Sequence, residues 1–128
     1  MAIDMRTPLN KVRGLGSAKE GADHFWRQRM TGVANVPLTL FLIGSAIYCA
    51  GSDHATVAAY LSSPFVAVAM LALILSVAIH MRLGMQVIIE DYIHSEGKKI
   101  ICLMLNTFFV ISVSLACVFA ILKLSLGA

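Results

Sequence analysis

The chain has 128 residues, of which 59% are hydrophobic and 13% charged, whereas a soluble domain is typically about 45–50% apolar and about 25% charged. A chain this short has too little interior to bury so much apolar surface, so lipid is the natural solvent for the excess. The same composition excludes an intrinsically disordered chain, and an odd number of cysteines, three, does not suit a disulfide scaffold.

Positive charge is concentrated at the N-terminal end of the chain. Its Lys and Arg residues are Arg6, Lys11, Arg13, Lys19, Arg27 and Arg29. A basic terminal segment can bind nucleic acid, but apolar runs follow this one, so we interpret it as a topology signal and expect no nucleic-acid partner. Residues 1–31 lack the apolar core of a secretory signal, so we expect the first apolar run to stay in the mature protein.

The end of this segment is predicted to form a short interfacial helix before the first span. Asp23 can cap a helix that begins at His24, because its carboxylate then lies at the positive end of the helix dipole. An indole and two guanidinium groups suit the membrane interface and are found at Trp26, Arg27 and Arg29. The same side chains can instead form a docking surface for a soluble partner or an anionic headgroup.

Three apolar stretches follow, each about as long as the roughly 20 residues that a helix needs to cross a bilayer or, for the second, longer. They run over about 33–50, 59–87 and 100–122. Each is expected to be helical, because lipid offers no partners for unpaired backbone groups. Pro37 removes one helical N–H and is expected to kink the first span. The predicted fold class is therefore an all-α membrane protein with three transmembrane helices.

The Lys and Arg content of the loops predicts the orientation of the three spans. These residues are frequent in 1–31 and recur after the second span, whereas the loop 51–56 has none and the C-terminal tail has Lys123 alone. We therefore expect the N-terminus in the cytoplasm and the C-terminus on the periplasmic side. The predicted organisation is a cytoplasmic N-terminal segment, 1–31, and a membrane anchor region, 32–128.

The second span carries the polar residues that are most costly in lipid, from His80 to Tyr92. His80 follows the uncharged run 64–79, so we expect it inside the hydrocarbon or just under its inner edge. An imidazole there can ligate a metal, relay protons or make a hydrogen bond between packed helices. Gly84, one turn further on, gives a flat or bulky group access to the backbone, or it simply allows close helix packing.

Asp91 and Tyr92 form a polar pair at the predicted cytoplasmic edge. Asp91 comes eleven positions after His80. In a helix, this spacing places the two residues on nearly the same face, about 16 Å apart along the axis. A phenol beside a carboxylate suits a carbonyl-bearing ligand that takes up protons. Equally, an Asp-Tyr pair can simply end a helix at the interface, where tyrosine is common.

The other histidines and the cysteines offer no second metal ligand within the membrane. The remaining histidines lie outside the apolar runs, at His24, His54 and His94. If His80 binds a haem iron, the second axial ligand must therefore come from another chain. No Cys-x-x-Cys pair occurs among the three cysteines, so we expect no metal–thiolate site.

These residues together resemble the hydrophobic membrane anchor subunits of succinate dehydrogenase, complex II. The resemblance lies in the spacing from His80 through Gly84 to Asp91 and Tyr92, on the second of three spans. The segment 24–32, His-Phe-Trp-Arg-Gln-Arg-Met-Thr-Gly, is also similar to the bacterial members. The similarity runs from about Gly16 to the end of the chain, and the absence of a long leader favours a bacterial inner membrane over a mitochondrial one.

The resemblance implies a role for each residue and a set of partners. Such subunits pair with a cytochrome b subunit, share one haem b with it, and anchor a flavoprotein and an iron–sulfur subunit that carry the FAD and the iron–sulfur clusters. It implies that His80 is an axial haem ligand, that Tyr92 hydrogen-bonds a ubiquinone carbonyl, and that Asp91 supports that site. From their positions we also expect Arg82 to pair with a haem propionate and Gly84 to lie beside the haem.

The implied function is electron transfer from succinate to ubiquinone, in the tricarboxylic acid cycle and the respiratory chain, by a complex in which this chain alone is not catalytic. Two other functions stay open on the residues alone. A small proton-coupled transporter or ion-conducting subunit can use His80, Glu90 and Asp91 as a proton path, although three spans are few for it. A purely structural assembly helper would tolerate substitution of both His80 and Tyr92.

Overall fold

In a computed structural model, residues 7–14 and 21–127 are described, and every regular element within them is an α-helix. The helices are α1, Pro8–Gly14; α2, Gly21–Cys49; α3, His54–Ser62; α4, Pro64–Tyr92; and α5, Glu96–Leu126. Within these ranges, α2, α4 and α5 are long and apolar enough to cross a membrane. The predicted all-α class with three membrane-length helices is confirmed, while Arg6, Lys19 and Gly16 lie outside the described residues.

The first span is the end of one continuous helix, α2, that also includes the segment predicted to be interfacial. Asp23 therefore lies in the first turn of α2 rather than before it as a cap, although its carboxylate remains near the positive end of the helix dipole. A separate short helix does precede the first span, at Pro8–Gly14. The predicted boundary after residue 31 falls inside α2, which continues through Pro37 to Cys49.

The second span begins at Pro64, later than the predicted start at Ala59, which lies in the separate helix α3. The chain breaks at Ser63, whose φ of −63° and ψ of 134° are extended. Proline disfavours the helical conformation in the residue before it, and at the first helical position its missing N–H costs nothing. The later start of the second span is therefore caused by Pro64. The apolar composition of 59–87 does not show this break between two helices.

The loop between α2 and α3 is built from a left-handed turn and a polar cap. Gly51 has a φ of +80°, a conformation that glycine adopts without a steric penalty and that commonly ends helices. Asp53 then caps α3, because its carboxylate accepts a hydrogen bond from the Thr56 N–H at 3.3 Å. Hydrogen bonds from the side chain and backbone of Thr56 lower the pKa of Asp53 below its ordinary value.

Helix α4 is the central helix, since α2 and α5 both pack along it and α3 contacts α4 and α5. The core lies at the end of the bundle near α3. Its buried members Val66, Met70 and Leu73 all belong to α4, and the partly buried side chains packed on them are Leu38, Phe41, Tyr60, Leu61 and Ile121. Towards the other end of α4, Ile89 is also buried, and His80 makes polar contacts to α2.

Candidate functional site

The imidazole of His80 lies between α4 and α2, where one ring nitrogen contacts two oxygen atoms of α2. Its Nδ1 is 3.2 Å from the carbonyl oxygen of Gln28 and 3.2 Å from Oγ1 of Thr31. All three residues are half-buried. The sequence predicted a costly imidazole at this depth of the span, but it did not predict these partners, because they depend on which face of α2 meets α4.

The hydrogen bonds of Thr31 determine which nitrogen of His80 carries the proton. The Thr31 hydroxyl donates to the carbonyl oxygen of Arg27 at 2.7 Å, so its oxygen is left to accept from the imidazole. The carbonyl oxygen of Gln28 can only accept. Because both partners of Nδ1 are acceptors, we assign the proton of the neutral ring to Nδ1, which leaves the lone pair on Nε2.

Two glycines allow α2 and α4 to approach closely around His80. A Cβ atom on Gly32 would lie 3.3 Å from Cε1 of His80, and one on Gly84 would lie 3.2 Å from Nε2 of Gln28. The sequence left open whether Gly84 admits a flat group or allows helix packing. The side chain of Gln28 occupies that space, so at Gly84 the structure favours packing.

A groove of about 410 Å³ beside His80 carries two guanidinium groups from different helices. Arg27 of α2 and Arg82 of α4 both line it, as does Thr31, the residue that contacts His80. The remaining lining is apolar, from Met30, Ile79 and Leu83. Guanidinium groups form strong charge-assisted hydrogen bonds with carboxylates and phosphates, so this groove suits an anionic group. The sequence predicted Arg82 as a partner for a haem propionate, but it predicted Arg27 only as a residue of the membrane interface.

Tyr92 lies at the end of α4 with 78% of its surface exposed. It lines a cavity of about 420 Å³ at the turn between α4 and α5, together with His94, Ser95 and Lys98. The rest of the lining is Ile93, Ile101 and Cys102. A phenol, an imidazole, a hydroxyl and an ammonium group around an otherwise apolar space can hydrogen-bond the carbonyl groups of a flat apolar ligand.

The lining of this cavity differs from the sequence prediction at Asp91, His94 and Lys98. The carboxylate of Asp91 is exposed in the same turn as Tyr92, but Asp91 does not line the cavity. From the sequence, His94 lies outside the apolar runs with no predicted role, and Lys98 is one of the charges that predict the orientation. The turn between α4 and α5 brings both to the cavity, which follows from its geometry rather than from a sequence motif.

The donor chemistry at His80 fits a haem better than an isolated metal ion. Residues 7–14 and 21–127 contain no cluster of three or more His, Cys, Asp or Glu side chains able to hold a metal ion. A haem iron, by contrast, is already held by its porphyrin and needs only axial ligands, commonly histidine. The lone pair assigned to Nε2 of His80 would suit an axial ligand, and Arg27 and Arg82, in the groove that Thr31 also lines, would suit the carboxylates of a haem.

Comparisons with known proteins agree on one family. The model of the succinate dehydrogenase/fumarate reductase transmembrane subunit family matches residues 3–120. The succinate dehydrogenase hydrophobic membrane anchor subunit of Paracoccus denitrificans is 32% identical, over 95% of this chain and 94% of that protein. The corresponding subunit of Rickettsia bellii is 34% identical, over 73% and 74%, and the membrane anchor subunit of Reclinomonas americana is 37% identical, over 68% and 75%. No solved structure matches the chain significantly.

Proposed function

The chain belongs to the succinate dehydrogenase/fumarate reductase transmembrane subunit family, and we propose that it supplies one axial ligand to haem b and part of a ubiquinone-reduction site. It is a multi-pass membrane anchor subunit of succinate dehydrogenase. The observation that carries the proposal is the imidazole of His80, whose Nδ1 is held by two acceptors of α2. That arrangement prepares Nε2 as a metal ligand inside a membrane span.

The haem part of the proposal assigns His80 and Arg82. A bound haem supplies one-electron redox chemistry within the membrane. His80 provides Nε2 to one axial position, and a cytochrome b subunit provides the other, since no second histidine lies within the apolar runs of this chain. Arg82 pairs with a haem propionate in the groove that it shares with Arg27. Gly84 contributes by letting Gln28 approach.

The quinone part of the proposal assigns Tyr92 and Asp91. Reduction of a quinone to a quinol takes up two electrons and two protons, so the site needs a hydrogen-bond donor at a carbonyl and a route for protons. The phenol of Tyr92 donates to one ubiquinone carbonyl at the end of α4. Asp91, in the same helical turn and exposed to solvent, supports the protonation of that site.

The proposed orientation and partner subunits both concern the side of the molecule where α2 begins and α4 ends. Helices α2 and α4 pack side by side, and His80 of α4 lies at Gln28 of α2, so the basic start of α2 and the end of α4 share one side. We propose that this side faces the cytoplasm of a bacterium, where a flavoprotein with FAD and an iron–sulfur subunit deliver electrons from succinate. The C-terminus is then periplasmic.

The haem content of the assembled complex tests this proposal. His80→Ala removes the axial ligand, so we expect the reduced b-type absorbance of the purified complex to weaken or disappear. His54→Ala, at the start of α3, is the matched control and is expected to leave the absorbance intact. A normal b-type spectrum and normal haem content in His80→Ala would rule out His80 as the ligand.

A further inference from the structure

We infer that Thr31 is a positioning residue for His80: its hydroxyl oxygen accepts a hydrogen bond from Nδ1–H and thereby tunes the basicity of the Nε2 lone pair, which would ligate the iron. The inference rests on the proposed haem function and extends it to a residue of another helix. The contact that carries it is the 3.2 Å distance between Oγ1 of Thr31 and Nδ1 of His80.

The hydroxyl of Thr31 is fixed in the accepting orientation by its own helix. It donates to the carbonyl oxygen of Arg27 at 2.7 Å, and its distance to the carbonyl oxygen of Gln28 is 3.1 Å. The proton of the hydroxyl is thus directed back along α2 and away from the imidazole. A hydroxyl that donates one hydrogen bond becomes a better acceptor for the next, so this chain of bonds strengthens the hold on Nδ1.

Thr31 is also held in register with α4 through its backbone. Its carbonyl oxygen accepts a hydrogen bond from the hydroxyl of Ser76 at 3.4 Å, one helical turn before His80. Ser76 and His80, one turn apart on the same face of α4, therefore both contact Thr31 of α2. Gly32 completes the arrangement, because the absence of a side chain there leaves room for Cε1 of His80.

This arrangement has a chemical consequence for a metal bound at Nε2. A hydrogen bond from the second ring nitrogen of a ligating histidine to an acceptor fixes the ring and raises the basicity of the ligand. A more basic imidazole stabilises the more positive ferric state relative to the ferrous state. The Thr31 hydroxyl is therefore expected to lower the midpoint potential of the haem, while the Gln28 carbonyl retains part of the effect without it.

The test is a redox titration of the haem in the purified complex with Thr31→Val, which keeps the shape of the side chain but removes the hydroxyl. We expect the ferric-to-ferrous ratio at a fixed ambient potential to fall by up to about fivefold, the equivalent of one neutral hydrogen bond. At 59 mV per tenfold for one electron, this is an upward shift of up to ~40 mV in midpoint potential. Thr31→Ser, which retains the hydroxyl, is expected to stay near the wild-type potential.

Thr39→Val provides the matched control, since Thr39 lies on the same helix and lines a different groove with Leu42 and Cys117. Equal potentials in Thr31→Val and wild type, with normal haem content, would overturn the inference while leaving His80 as the ligand. If Thr31→Val assembles without haem, normal haem in Thr31→Ser supports the hydrogen bond, and loss in both variants contradicts it. A normal haem in His80→Ala would instead refute the proposed function itself.

Discussion

At the scale of single residues, the candidate site residues are polar side chains in or at the end of a membrane span, where burying them in lipid is energetically costly. The sequence identifies His80 because it directly follows the uncharged run 64–79, and Tyr92 because it lies beside Asp91 at the predicted cytoplasmic edge. The partners of His80 were not recognisable, because Thr31 and Gln28 look like ordinary polar residues near the start of a span. Only the packing of α2 on α4 identifies them, through contacts of 3.2 Å to Nδ1.

The two glycines near His80 make the same point. Gly84 stood out in the sequence because it follows His80 by one turn, yet its open side is filled by the flexible end of Gln28. No spacing in the sequence links Gly32 to His80, although a Cβ there would lie 3.3 Å from Cε1 of the imidazole. Which glycine makes room for the imidazole of His80 depends on how α2 packs on α4. Residue spacing along α4 alone therefore could not identify it.

The phenol of Tyr92 is predicted to act in quinone reduction and not in the earlier electron-transfer steps. Tyr92→Phe keeps the ring but removes the hydrogen bond to the quinone carbonyl. We expect succinate:ubiquinone activity of the complex to fall by up to about tenfold, the equivalent of one lost hydrogen bond. Succinate oxidation with an artificial soluble acceptor is expected to stay nearly unchanged.

Tyr48→Phe is the control for this substitution, because Tyr48 lies near the other end of α2 and its ring contacts that of Tyr60. It is expected to leave both activities intact. Full ubiquinone reductase activity in Tyr92→Phe would refute the role of the phenol. A parallel loss of both activities would show that the substitution disturbs the assembly rather than the quinone site.

At the scale of the helices, composition and proline placement account for most of what is observed. The apolar runs predicted three membrane-length helices, and α2, α4 and α5 confirm them. The limits of the helices were harder to predict, because hydropathy does not sense where a helix breaks. Pro64 separates α3 from α4, and the helix before the first span extends without a break into it.

The short helix α3 depends on its cap at Asp53. Hydrogen bonding to Thr56 lowers the pKa of Asp53, so the ionised carboxylate is the form that stabilises the folded helix. This contribution is present above the unfolded pKa, about 3.9, and is lost as the pH falls through the depressed folded value. Protection of the α3 amides against hydrogen exchange is therefore expected to be constant near neutral pH and to decrease below about pH 4.

Asp53→Asn separates this titration from the cap itself. Asparagine also caps helices but does not ionise, so its α3 protection is expected to show no decrease across the same pH range. Asp53→Ala lacks a side-chain acceptor and is expected to reduce protection already at pH 7. Identical pH profiles for wild type and Asp53→Asn would contradict the account of this cap.

At the scale of the whole molecule, the chain is incomplete without its surroundings. In the most apolar window of each span, 6% of the residues are buried in α2, 22% in α4 and 6% in α5. The exposed remainder must face lipid or other subunits, as expected of a membrane anchor subunit. The composition predicted this exposure, but the sequence could not define which surface contacts the other subunits.

Family membership also narrows the functions that the residues left open. A proton-coupled transporter and a structural assembly helper were both compatible with three spans and a few polar groups. The match to succinate dehydrogenase anchor subunits over nearly the whole chain favours a redox complex. The structure adds that His80 of α4 makes hydrogen bonds to Gln28 and Thr31 of α2, so its imidazole joins two packed helices.

The central claim is that Nε2 of His80 is an axial ligand of haem b, and the identity of the ligand can be read from the spectrum of the oxidised complex. His80→Met places a thioether at the ligand position, so we expect near-infrared magnetic circular dichroism to change from a bis-histidine to a histidine–methionine signature. The midpoint potential is expected to rise, because methionine ligation raises haem potentials. An unchanged bis-histidine signature in His80→Met, at full haem content, would contradict the account.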